Sequence, residues 1–281
     1  MSFWDTLAEA EEVHVLAANI KGSLFDIFSK IHGFAQKKSR FTPDFEGYSC
    51  PITIYPIVQK NKIYTKSLAL KSMTGLDCQN HKGLRDGQAI DVMMKNALLK
   101  TSGKPLLFKN GWAEFDWLLP ETITICSVDS RGLNQYMAET CAILLFGGNP
   151  SPSDKLALDY LSTKYSRDFT QAFITTRLLE PSLQAVTRTA IRDRENTKPV
   201  KLFVQDERVA NYLISTHLQK AVIDWSLSEN TPEFQDRRTI EDERKAPVMA
   251  LLKEGKKIKE ISKIINCHRN TIRNWKKELA A

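Results

Sequence analysis

The chain has 281 residues, 42% of them hydrophobic and 26% charged, so it can bury a sizeable core and is not a disordered polymer. Mean hydropathy is −0.33, no uncharged apolar run approaches the roughly 18 residues a span needs, and the opening MSFWDTLAEAEEVHV is acidic where an export signal is basic. Membrane insertion and export are therefore not expected, and five Cys without a CxxC pair fit a reducing cytoplasm better than a disulfide framework.

Residues 1–36 carry apolar positions at mostly helical spacing (Leu7, Leu16, Ile20, Leu24, Ile27, Ile31), broken by Gly22 and Gly33. After the basic loop KKSRFTP, ITIYPIVQ and KIYTKSLAL read as two strands of a hairpin around the polar turn at 59–62. AIDVMMKNALLK is helical in pattern. PLLFKNGWAEFDWLLP reads as loop or strand, and ETITICSV as a strand. LNQYMAETCAILLF reads as a buried helix ended by Gly147 and Gly148. GGNPSPSD, residues 147–154, is a candidate sub-boundary, with Ser153 or Asp154 capping the helix DKLALDYLSTKY. DFTQAFITTRLL and SLQAVTRTAIRDR read as helices separated by Pro181, then KLFVQ as a strand. DERVANYLISTHLQKAVIDWSL reads as one long amphipathic helix, residues 206–227. The polar stretch 229–243 reads as a linker. The expected class is α+β: a large mixed, helix-rich body over residues 1–228, followed by a three-helix module over 244–281.

Charge separates these two parts. Residues 244–281 hold 11 basic and three acidic side chains, a local net of +8, and the rest of the chain nets −1. A short basic module on a near-neutral body points to a polyanion, most simply nucleic acid. Within it, Pro247 suits the first turn of a helix, and Met249, Leu251 and Leu252 form its apolar face. Gly255 closes that helix in a left-handed conformation. A second helix is expected at about 258–265, a tight turn at Asn266 and Cys267, and a third helix from about 268 to 279.

The buried-position pattern Ile258, Ile261, Ile265, Cys267, Ile272 and Trp275 resembles the helix-turn-helix module of resolvases and DNA invertases, also found in transposase and regulator DNA-binding domains. Two positions depart mildly. Ser262 stands where the family usually has Ala, and Asn266 where it usually has Gly. The resemblance implies that the third helix enters the major groove, where bases show distinct donor and acceptor patterns. His268, Arg269, Asn270, Arg273 and Asn274 are then expected at base edges. Lys256, Lys257, Lys259, Lys263, Lys276 and Lys277 are expected at phosphates, and Thr271 at a phosphate or in the first turn. One such helix reads a short half-site, so double-stranded DNA and a second copy of the chain are the expected partners.

Other constellations are thinner. Ser127, Ser130 and Arg131 imitate a recombinase nucleophile without its surroundings. Glu114, Asp116, Glu121 and Asp129 near Lys109 fit no metal template, and Cys78 and His81 lack a second pair of zinc ligands. Cys126, Cys141, His14 and His217 read as packed core residues. Arg177, Arg188, Arg192 and Arg194 read as a salt-bridged face, and Trp112, Phe115 and Trp117 as core. No catalytic residue, metal or cofactor is expected. The sequence reads as a sequence-specific DNA-binding protein, most simply a transcription regulator, with a mobile element, plasmid or phage as its setting. The alternative is a rearrangement or replication protein that uses the module to choose its site.

Overall fold

The computed structural model describes residues 3–15, 19–42, 47–71, 88–115, 119–128, 135–229, 237–265 and 267–280, with the side chains of 237–244 and 277–280 left aside. Contacts divide the chain into two compact units, Met1–Thr231 and Pro232–Ala281.

In the first unit, α1 (Phe3–Ala8) lays Trp4 against Phe25, Phe28, His32 and Phe34 of α2 (Leu24–Ile31) and the residues after it. The Ser23 side chain caps α2 by accepting from Asp26 N. The sheet follows: β1 (Ile52–Pro56), then α3 (Lys66–Ala69) and α4 (Ala89–Lys100), then β2 (Leu106–Lys109), β3 (Thr124–Cys126) and β4 (Cys141–Leu145). Next come α5 (Pro152–Tyr165) and α6 (Phe169–Ile174), which runs through a π turn, Thr175–Leu179, into α7 (Glu180–Val186). The unit closes with β5 (Val200–Val204), α8 (Glu207–Thr216), β6 (Val222–Ile223) and α9 (Ser226–Glu229). The strand order is β3-β2-β4-β5-β1-β6, and every pairing is parallel. Parallel neighbours need long crossovers, which the helices supply. The class is α+β as expected, with the strands gathered in one sheet.

Five local expectations are corrected. The segment around 141–145 is β4, not a helix. All five of its residues are buried between flanking strands, and an apolar run buried on both faces carries no period that tells strand from helix. The hairpin is absent, because Thr65 accepts from Leu68 N and starts α3 where a second strand was expected. Helix 206–227 stops at Thr216, and Val222 and Ile223 form the edge strand β6 instead. Pro181 does not separate two helices. The backbone at Leu179 and Glu180 is helical and the π turn runs straight into α7, so Pro181 lies within a continuous helix, and the wider π turn accommodates the backbone bond it cannot donate. The cap of α5 is Ser151 rather than Ser153 or Asp154: its Oγ accepts from Asp154 N, and Asp154 Oδ2 accepts from Ser151 N at 2.8 Å.

A polar network ties the loops beyond the carboxyl ends of the central strands. Asp206, fully buried, caps α8 by accepting from Arg208 N and Val209 N, and also accepts from Tyr64 N. Arg208 pairs with it at 2.7 Å and donates from Nη1 to Asn149 Oδ1, while Asn149 Nδ2 donates to Tyr64 O. Three loops are thereby joined through one satisfied carboxylate. In the segment 147–154, Gly148 abuts the Arg177 carbonyl so closely that a Cβ there would collide with it.

The second unit holds α10 (Arg237–Lys253), α11 (Ile258–Ile264) and α12 (Arg269–Ala280). Helix α10 starts inside the segment expected to be linker. Pro247 therefore lies in its interior rather than its first turn, and one i to i−4 hydrogen bond is missing there.

Candidate nucleic-acid interface

The module is built from its core outward. Val248, Ile261 and Ile272 are fully buried, Cys267 and Trp275 nearly so, and Met249, Leu251, Leu252, Ile258 and Ile265 pack around them. These are the positions the spacing marked, plus Val248. The two ends of α10 and α11 are fixed by local chemistry. Gly255 is left-handed at φ +78°, with Gly255 N donating to Leu252 O and Lys256 N to Leu251 O, the paired bonds of a Schellman cap. Lys257 N donates to Glu260 Oε2, which satisfies a free donor at the start of α11.

The turn into α12 is held by two side chains. Ser262 Oγ donates to Cys267 O at 2.8 Å, a bond that Ala at this position does not make. His268 Nδ1 accepts from Asn270 N at 3.3 Å, so the imidazole caps the helix, and His268 O receives Ile272 N. Asn266 lies outside the described residues.

On α12, Ile272 and Trp275 face the core. Arg269, Asn270, Arg273 and Asn274 fall on the opposite face at i, i+1, i+4 and i+5, and all four are exposed. The structure thus brings the expected base-edge residues onto one face. His268 is exposed and adjoins it, and Thr271 is half-buried at its margin. Lys256, Lys257, Lys259, Lys263 and Lys276 are exposed, with Lys256 near Glu254 at 3.8 Å. The Lys277 side chain lies outside the described ones. One feature escaped the sequence: Arg273 Nη1 donates to Asn270 Oδ1 at 3.0 Å, which i, i+3 spacing permits but does not require.

Among the described residues no group of three or more His, Cys, Asp or Glu is placed to hold a metal ion. Asp116, Asp129, Ser130, Arg131, Cys78, His81 and Trp117 lie outside the described residues. The arginine group divides. Arg177 feels Asp154, whereas Arg188, its charge disfavoured by burial and then by Arg192, lies near Cys126. Trp112 and Phe115 are half-buried, with Lys66 Nζ 5.7 Å from the Trp112 ring centre. Cys126, Cys141 and Cys267 are buried free thiols. In the body, a cavity of about 170 Å³ lies between Tyr48, Cys50 and Ile52 and the loop from His217 to Ala221.

Residues 239–280 match the homeodomain-like domain family. No curated protein and no solved structure matches the chain. This match and the three helices are consistent with a helix-turn-helix DNA-binding module of the resolvase and transposase type. Among the described residues no helix is long and apolar enough to cross a membrane.

Proposed function

We propose that the protein is a sequence-specific reader of double-stranded DNA acting as a transcription regulator. What carries this reading is α12: one face is all core, and the other presents Arg269, Asn270, Arg273 and Asn274 together. Arg suits guanine and Asn suits adenine in the major groove, which admits one helix. Lys256, Lys257, Lys259, Lys263, Lys276 and Lys277 contact phosphates, Thr271 supports the first turn or a phosphate, and His268 caps the helix beside the bases. Because one helix reads few base pairs, the protein binds as a homo-oligomer assembled through the body, which also takes up an effector or a protein partner. Its setting is the cytoplasm, on a chromosome, plasmid or other mobile element.

Selection of bound sequences from random duplex DNA tests this. A palindromic consensus lying upstream of genes supports a dimeric regulator. Metal-dependent strand cleavage at the selected site would assign the chain to DNA rearrangement instead. Arg273→Ala should lower affinity for the selected site by about tenfold to a hundredfold while leaving the weak, salt-sensitive binding supplied by the lysines. Equal loss on all sequences would show that Arg273 touches only the backbone.

A further inference from the structure

We infer that Asn270 is a positioning residue for Arg273: the two side chains act as one guanine-reading unit rather than as two separate base readers. This rests on α12 being the helix that enters the groove. Both residues are exposed, so no packing forces them together. They are nonetheless joined by the 3.0 Å bond from Arg273 Nη1 to Asn270 Oδ1. The first turn that carries Asn270 is itself fixed, because its N–H donates to His268 Nδ1.

The chemistry of the pair follows from its donors and acceptors. A guanidinium on a flexible stem loses rotamer freedom when it docks, and a partner that holds it beforehand reduces that loss. With Nη1 directed to Asn270, Nε and Nη2 remain as a fork that matches O6 and N7 of guanine. Two-bond reading of adenine by Asn needs its carbonyl as acceptor and its amide as donor. In Asn270 the carbonyl is turned to Arg273, and the amide group remains as a donor. The module therefore spends this Asn on a G·C pair, and the adenine contact expected from residue type alone falls to other residues of the face.

The test compares sequences selected by the full-length wild type, Arg273→Ala, Asn270→Ala and Asn270→Asp. The wild type should enrich a site with one guanine that Arg273→Ala makes about tenfold or more less preferred. Asn270→Ala should weaken the preference at that same base pair by about threefold to tenfold and leave the other positions unchanged. Asn270→Asp keeps the acceptor and lacks the amide donor. It should retain the guanine preference even as the added negative charge lowers affinity for every sequence. If Asn270→Ala and Asn270→Asp both lose an adenine elsewhere and leave the guanine intact, the pairing is overturned while the module stands as a DNA reader. If the wild type enriches nothing, or Arg273→Ala leaves the consensus unchanged, the groove-reading role fails and the positioning role fails with it.

Discussion

Asp206 shows how single residues set the stability of the body. A carboxylate with no exposed surface is tolerated because Arg208, Tyr64 N and the first turn of α8 all meet it. Removing the cation leaves a buried charge facing backbone donors alone, which costs about 3–5 kcal/mol. Arg208→Ala should lower the unfolding free energy of the body, measured by urea denaturation, by that amount, and a loss under about 1 kcal/mol would show that the pair is dispensable. His217, beside the cavity, has its pKa lowered from the ordinary 6.5 by burial. The unfolded chain then binds this proton more readily than the folded one, so the contribution is complete above about pH 6.5 and is lost as pH falls below it. Denaturation midpoints between pH 5 and 7 should rise with pH, and His217→Gln should flatten that slope; an unchanged slope would place its origin elsewhere. In the module, Ser262 was legible as a mild departure from the family's usual Ala. Its bond to the Cys267 carbonyl was not, because a hydroxyl finds its acceptor only after the turn has formed.

At the scale of elements, the local ends of helices were readable and the strands much less so. Gly255 was marked as a left-handed stop and serves as one, because that requirement lies within a few residues. The residues of β4 look identical in a buried helix and in a strand paired on both edges. Only the neighbours β2 and β5, distant in sequence, decide between them. Helix α10 offers an element-level test. Proline in a helix interior removes a hydrogen bond and crowds the preceding turn, at up to about 3 kcal/mol. Pro247→Ala in the full chain should therefore slow amide exchange across residues 240–250, by tenfold or more if about half of that cost is recovered. No change would mean that the helix effectively begins at Pro247, with the turn before it frayed.

For the whole molecule, the division of charge already separated a basic end from a near-neutral body, and the apolar spacing of 38 residues sufficed to lay out the module. The module was legible because its core is made of neighbours along the chain. The topology of the body was not, since β1 pairs with β5 and β6 across more than a hundred residues. DNA binding by the module follows from its fold and family match. Regulation, oligomerisation and base preference are the parts of the proposal that only the full chain on its own site can test. The most direct test is equilibrium titration of the full-length protein with a selected duplex and a shuffled one, across a salt series that includes physiological ionic strength. The selected duplex should bind on the order of a thousandfold tighter, with both affinities falling linearly in log salt. Equal affinity for the two duplexes at every salt concentration would contradict a base-reading α12.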